Sequence, residues 1–165
     1  MFTTILAILL ALVVGAVLLV LLLGPENTLE KVLRPGEPPA IDFATLRKHG
    51  KPNQYLVCPP GHCAGSPDRE APVFAMSADD LAERWKTLMA TLDNVSLARA
   101  DEVNRRFDYV ARTPKIRWPD LISVEFLDHP DGATLAVYSR AVYGYRDFGV
   151  NKQRIEGWLK QLGSN

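Results

Sequence analysis

The longest hydrophobic pattern in the chain lies at its start. Residues 2–23 carry no charged side chain, and a helix of 22 residues rises about 33 Å, enough to cross the hydrocarbon core of a bilayer. No basic residue precedes this run and no small-residue cleavage site follows it, whereas a cleavable signal peptide has both. The pattern predicts an uncleaved single-pass transmembrane anchor in residues 1–25, ended by Gly24 and Pro25.

The next segment has no periodic pattern. Residues 26–52 contain four prolines and two glycines without a sustained apolar repeat. Such a composition is typical of linkers. We therefore expect a tether that leads from the membrane to a globular domain in residues 53–165.

Helical spacing occurs in two stretches of that domain. The first follows Ser77, a residue type that caps helix N-termini. Its apolar positions share one helical face: Leu81, Trp85, Leu88, Met89 and Leu92. The second follows Asn151, which is expected to cap it, and ends at Gly163. Its apolar positions are Ile155, Trp158, Leu159 and Leu162. Both patterns predict helices with one buried face, so we interpret Trp85 as a core residue and not as a ligand platform.

Between the two helices the apolar positions alternate with a period of two, which predicts four strands. The strands are residues 95–100, 106–113, 121–127 and 133–140. A four-residue loop, 129–132, pairs Phe126 with Leu135 and Val124 with Val137, and so keeps both apolar residues of each pair on one face. This register places four polar residues on the opposite face: Ser123, Glu125, Tyr138 and Arg140. The predicted class is α+β, with an N-terminal transmembrane helix, about four antiparallel strands and two packed helices.

The charged residues are balanced, with 19 Lys and Arg against 19 Asp and Glu. A nucleic-acid-binding protein normally presents a basic face, so the balance argues against nucleic acid as a partner. No motif in the chain indicates a cofactor.

The only two cysteines, Cys58 and Cys63, flank a Pro-Pro-Gly-His sequence. Residues 59–61 favour a turn that brings the two thiols together. In an oxidising compartment they would form a disulfide that stabilises the fold by roughly 2 kcal/mol.

Two other interpretations of this loop remain open. A metal site would use His62 as a third ligand, but its fourth ligand would have to come from distant His49 or His129, and the spacing is not that of a zinc knuckle. A catalytic thiol would need an activating partner that the sequence does not mark. A structural disulfide without a metal is the preferred interpretation.

Two features of the sequence predict opposite orientations of the protein in the membrane. Lys31 and Arg34 follow the anchor, and the positive-inside rule would keep the domain in the cytoplasm. The cysteine pair instead predicts an oxidising compartment, which would place the domain on the exported side of the membrane.

Residues 138–151 join the last strand to the last helix and bring together three tyrosines, two arginines, an aspartate and two glycines. Here the chain resembles the bacterial family called domain of unknown function 1499, over most of residues 53–162. The resemblance rests on the two cysteines and on residues 109–113, 118–120, 138–140, Tyr143, Gly144, Asp147, Gly149, Asn151 and Arg154. It implies an envelope location, which favours the exported orientation and the disulfide, and so predicts a bacterial inner-membrane protein with its domain in the periplasm. It implies no established activity.

Nine polar residues form the predicted candidate site. They are Arg112, Arg117, Asp120, Tyr138, Arg140, Tyr143, Asp147, Asn151 and Arg154. One hypothesis is an Arg–Asp network that fixes the last strand to the last helix. The other is an anion pocket, in which Arg112 and Arg140 hold a carboxylate or phosphate between the tyrosines.

Three functions are compatible with these features. The first is a non-enzymatic interaction domain, such as an accessory subunit of a membrane complex. The second is a module that binds a lipid or another anionic amphipathic ligand between the sheet and the last helix. The third is an envelope enzyme that uses Tyr143 or Asp147, and it is the least supported because no His, Ser or Cys has a visible activating partner.

Overall fold

A computed structural model describes residues 2–24, 33–114 and 116–163. The helices are α1 (Phe2–Leu23), α2 (Ala78–Ala90) and α3 (Val150–Gly163). The strands are β1 (Gln54–Cys58), β2 (Arg69–Glu70), β3 (Val95–Asp101), β4 (Arg106–Arg112), β5 (Pro119–His129) and β6 (Gly132–Ala141).

The strands form one mixed sheet of six, in the order β2-β1-β6-β5-β4-β3, and the predicted α+β class is confirmed. All described pairs are antiparallel except β1 with β2. The predicted number of four strands is too low, because β1 and β2 were not expected. Four of the five residues of β1 are buried, so the strand shows no polar–apolar alternation, and β2 has only two residues.

The hairpin of β5 and β6 has the predicted register. Phe126 pairs with Leu135 and Val124 with Val137. The pairing continues to His129 and Gly132, so the turn is two residues long and not four. A side chain at Gly132 would collide with the chain beside it, because its Cβ would lie 2.1 Å from the carbonyl oxygen of Phe74.

The helices α2 and α3 cover one face of the sheet, which we call the helix face. Ser77 caps α2 as predicted, and its hydroxyl oxygen accepts the backbone N–H of Asp80 at 3.1 Å. Trp85 is fully buried, with its ring edge-on to Trp158 at 5.6 Å between centroids. The predicted apolar stripes of both helices therefore form the core, and they fill the space between the sheet and α3 in which a ligand was one hypothesis.

The start of α3 differs from the prediction. The helix begins at Val150, and Asn151 is not its cap but a fully buried residue of its first turn. The Asp147 carboxylate accepts the backbone N–H of Asn151 at 2.9 Å and that of Gly149 at 3.1 Å. An aspartate just before a helix satisfies the exposed N–H groups as well as an asparagine does, which leaves the Asn151 side chain available for other bonds.

The opposite face, which we call the second face, is also covered. Phe43 is buried there against Leu56, Cys58 and Tyr138. The segment around Phe43 is held in place by Arg99, which donates to the Pro38 carbonyl, and by other backbone bonds. Part of the segment whose composition suggests a tether thus packs on the domain.

The cysteine loop lies beside this cover. The sulfurs of Cys58 and Cys63 are at disulfide-bonding distance, with 6.3 Å between the Cα atoms. His62 Nε2 lies 3.1 Å from Glu125 Oε2, and Glu125 also accepts two bonds from Arg106. Within residues 2–24, 33–114 and 116–163, no group of three His, Cys, Asp or Glu side chains is placed to hold a metal ion.

Helix α1 is long and apolar enough over residues 3–22 to cross a membrane. None of this stretch is buried by the rest of the described chain. These properties are shared by membrane anchors and signal sequences.

Candidate functional site

The structure separates the nine residues predicted from sequence into three groups. One group lies in a network at the start of α3: Asp120, Asp147, Asn151 and Arg154. A second lies on the second face: Tyr138 and Arg140. The third contacts residues 33 and 34 or lies beside that contact: Arg112, Arg117 and Tyr143.

The first group is built around a buried ion pair between α3 and β5. Arg154 Nη2 donates to Asp120 Oδ2 at 2.6 Å, and the two side chains are only 9% and 4% exposed. Arg154 Nη1 donates to Asn151 Oδ1 at 2.9 Å. Burial raises the pKa of Asp120 above its ordinary value, because the loss of hydration outweighs the attraction of Arg154. The contribution of the pair to stability is therefore the difference between a large desolvation cost and the electrostatic attraction of the two charges.

Asn151 connects this pair to the rest of the domain. It accepts a hydrogen bond from the Ser139 hydroxyl and donates to Asp147 Oδ2 at 2.8 Å. It also approaches the carbonyl of Asn53, whose own side chain donates to the Gly144 carbonyl at 2.9 Å. The network thus fixes the connection between β6 and α3 from both of its ends.

Sequence analysis did not find Ser139 and Asn53 as members of this network. Ser139 alternates with Tyr138 and Arg140 on β6, so the strand period could have placed it on the helix face, toward α3. Asn53 precedes a strand that was itself not predicted, and no local signal marked it.

On the second face, the Arg140 guanidinium lies over the Tyr138 ring at 5.1 Å. Arg140 Nη1 is 3.5 Å from the Ser123 hydroxyl, and its Nη2 is buried without a hydrogen-bond partner among the described residues. Burial accordingly lowers the pKa of Arg140. Arg112 has other partners, the carbonyls of Leu33 at 3.2 Å and Arg117 at 3.0 Å. The two arginines of the hypothetical anion pocket therefore share no described hydrogen-bond partner.

A groove of about 620 Å³ lies at the end of the sheet where β5 begins and β6 ends. Of the nine predicted residues, only Asp120, Tyr143 and Asp147 line it. Its other walls are mostly apolar: Pro114, Ile116, Trp118, Pro119, Ala141, Phe148 and Val150, with Thr113, Gly144 and Arg146. Sites that take small amphipathic ligands have this size and this predominance of apolar walls.

Four large apolar side chains that line the groove are exposed to solvent, as is Tyr145, which lies between the lining residues Gly144 and Arg146. We call these five residues the exposed rim: Ile116, Trp118, Tyr143, Tyr145 and Phe148. Phe148 is 90% exposed, and Trp118 and Tyr143, each 40% exposed, pack with ring centroids 5.7 Å apart. Phe148 also has a φ of 53°, a backbone conformation that costs a non-glycine residue about 1 kcal/mol. Residues held in such a backbone conformation cluster at ligand-binding and active sites, so an exposed aromatic residue at this position favours a binding role.

The chain from α1 reaches the domain at this rim. The Tyr143 hydroxyl donates to the carbonyl of Arg34 at 3.0 Å, and Arg112 donates to the carbonyl of Leu33. Eight residues lie between Gly24 and Leu33, and the nine Cα-to-Cα steps that join them span at most about 30 Å. The groove therefore lies at the end of the domain to which α1 is connected.

No sequence signal identified the groove. Residues 114–118 and 143–148 follow neither a strand nor a helix period, so their aromatic residues could not be assigned to a core or to a surface. Only the path of the backbone shows that they converge.

These features define an α+β domain with an N-terminal apolar helix and an apolar groove at one end of its sheet. The chain belongs to a family described as a protein of unknown function (DUF1499), whose model matches residues 34–162. The match begins beside Leu33, whose carbonyl accepts a bond from Arg112 of the domain. No curated protein matches the chain.

Proposed function

We propose that this protein is a single-pass protein of the bacterial inner membrane whose periplasmic domain binds an acyl chain of an anionic phospholipid in the groove. The observation that carries the proposal is the groove itself, which is lined mostly by apolar residues and has an exposed rim at the end of the domain to which the anchor is connected. A lipid chain would cover side chains that otherwise face water.

The headgroup, more than the chain, would determine which lipid binds. An acyl chain leaves one apolar medium for another when it moves from a bilayer into the groove, so its transfer gains little free energy. Arg146 lines the groove, is exposed, and has no ion-pair partner among the described residues. The two acidic residues of the groove are already bonded, Asp120 to Arg154 and Asp147 to Asn151. The bonds to Asp147 come from neutral N–H groups and leave its charge in place, whereas the exposed guanidinium of Arg146 can donate to an anionic headgroup.

The periplasmic orientation is supported by the cysteine pair. The two sulfurs are positioned for a disulfide, which forms and persists in an oxidising compartment. Impermeant maleimide labelling of intact spheroplasts tests this directly. We expect labelling only after external reduction, whereas labelling only after lysis and without a reductant would place the domain in the cytoplasm.

The groove is tested with a photoactivatable phosphatidylglycerol, incorporated with the full chain into nanodiscs. We expect cross-links on residues 113–118 and 141–150. Ala141→Trp, which fills the groove, should abolish them, and Phe148→Ser should reduce them severalfold. Val103→Ser removes another highly exposed apolar side chain, away from the groove, and should leave them unchanged.

Cross-links that are spread evenly over the domain, or that persist in Ala141→Trp, would contradict lipid binding. Co-purification with one protein partner, lost in Phe148→Ser, would then favour the alternative of an accessory subunit in a membrane complex. An envelope enzyme is less supported, because the described residues that line the groove include no His, Ser or Cys.

A further inference from the structure

We infer that the exposed rim docks into the headgroup layer of the same membrane in which α1 is anchored, so that lipid enters the groove laterally from that leaflet. This inference rests on the proposed function, because it takes α1 to be a retained anchor. It adds the surface that the domain contacts and the source of the ligand.

The first support is the distribution of exposed apolar side chains. Outside α1, eight large hydrophobic residues of the described chain are exposed, and five of them form the rim. The other three, Val73, Leu97 and Val103, lie in separate parts of the sequence. Scattered exposed residues are normal on a soluble surface, but a cluster at one end marks an interaction surface.

The second support is the chemical type of these residues. Trp118, Tyr143 and Tyr145 have an apolar ring and a polar group, and side chains of this kind concentrate at the boundary between water and lipid. Phe148 and Ile116 have no polar group and are suited to lie deeper, at the level of the acyl chains. A rim of both types matches the polarity gradient of a bilayer surface.

The third support is the length of the connection. Leu33 and Arg34 are held at the rim by Arg112 and Tyr143, within about 30 Å of the end of α1. The strand β5 runs eleven residues from Pro119 at the groove to the far hairpin, which is about 33 Å. Because the connection is attached at the rim, the groove end of the domain is held near the membrane. The hairpin of β5 and β6, at the other end, can point away from the membrane.

The fourth support is charge. Arg34 and Arg146 are exposed at this end of the domain, and each basic side chain near an anionic surface contributes about 1 kcal/mol of attraction. Asp120 is paired with Arg154, so Asp147 is the one groove carboxylate without a cationic partner among the described residues, and it is bonded to N–H groups of Gly149 and Asn151. The two exposed arginines outweigh this one negative charge, so anionic lipids would be attracted to the rim.

The test uses the natural tryptophans of the full chain in phosphatidylglycerol nanodiscs that contain lipids brominated near the headgroup end of the acyl chain. Trp85 and Trp158 are buried in the core, so Trp118 is the only one that docking would place among the bromines. We expect about one third of the emission to be quenched, as one of three tryptophans predicts, and Trp118→Phe to remove this quenching.

The matched control moves the reporter to another exposed position of the domain. In a Trp118→Phe background, Val103→Trp should remain unquenched. Quenching of this residue as strong as that of Trp118, or no quenching of Trp118, would overturn the inference. Replacing phosphatidylglycerol by phosphatidylcholine, or Arg146 by Glu, should lower the Trp118 quenching severalfold, and an unchanged signal in both would also overturn it.

The two experiments can contradict docking and lipid binding independently of each other. Quenching of Trp118 without cross-links in the groove would uphold docking and contradict the lipid site. Cross-links in the groove without quenching would uphold the lipid site and contradict docking.

Discussion

Replacing Arg154 by methionine tests whether the buried network at the start of α3 is structural. Methionine retains much of the apolar volume but leaves the Asp120 carboxylate, 4% exposed, without its ion-pair partner. Removing one partner of a buried pair costs about 3–5 kcal/mol, and the bond from Arg154 to Asn151 is lost as well. For a domain of this size the melting temperature should fall by about 10 °C.

The loss should depend on pH in a defined direction. Arg154 lowers the pKa of Asp120, and burial already raises it above the ordinary value, so without Arg154 the folded-state pKa rises further. A carboxyl group whose pKa is higher in the folded than in the unfolded state binds its proton more tightly when folded. The stability of the variant should therefore decrease as the pH rises from about 5 to about 8.

The measurement is thermal unfolding of the full chain in detergent, followed by circular dichroism at both pH values. Asp120→Asn combined with Arg154→Met removes both charges and should recover most of the lost stability. A melting temperature for Arg154→Met within about 2 °C of the wild type at pH 8, or an equal loss at both pH values, would refute the reasoning. If the variant is stable but its lipid cross-links disappear, the network belongs to the site and not to the scaffold.

Two further predictions concern stability. Gly132→Ala should destabilise the protein by about 1–3 kcal/mol, because φ at this position is +134° and the new methyl group would meet the Phe74 carbonyl. Gly157 lies on α3 with open space around it, so Gly157→Ala should stabilise the protein by about 0.5–1 kcal/mol. Equal changes in melting temperature for the two variants would contradict this explanation. Burial raises the pKa of Tyr109 from 10.0 to about 12 and also raises the pKa of Tyr138, so the folded protein retains protons that the unfolded chain releases. The free energy of unfolding measured with urea should therefore fall above about pH 10, and Tyr109→Phe should make that fall shallower. A wild-type stability that rises with pH in this range would contradict the explanation by the tyrosines.

Much of the fold could be predicted because its elements have strong periodic patterns. Alternation in β5 and β6 was sufficient for their register, since a slip of one residue would have turned Phe126 and Val124 away from the core. β1 lacked such a pattern because it is buried on both faces. The segment around Phe43 lacked one as well, since a single anchoring aromatic residue among prolines has no period.

The polar residues of the candidate site were easier to identify than its shape. Arginines and aspartates at or near a connection between elements stand out, and three of them, with Asn151, do form one network. The groove depends on how two separate loops approach each other, and no spacing within either loop contains that information. Trp118 and Phe148 would look the same in sequence if they were buried.

The attachment of the chain at Leu33 also determines how strongly the domain must bind anything in its membrane. If residues 26–52 were all extended, the domain could range about 90 Å from its anchor, whereas attachment at Leu33 limits this to about 30 Å. The accessible volume then falls roughly 27-fold, and one membrane molecule within it has an effective concentration on the order of 10 mM. At such a concentration even a millimolar dissociation constant gives a mostly occupied site, so an apolar groove with few charged residues is sufficient.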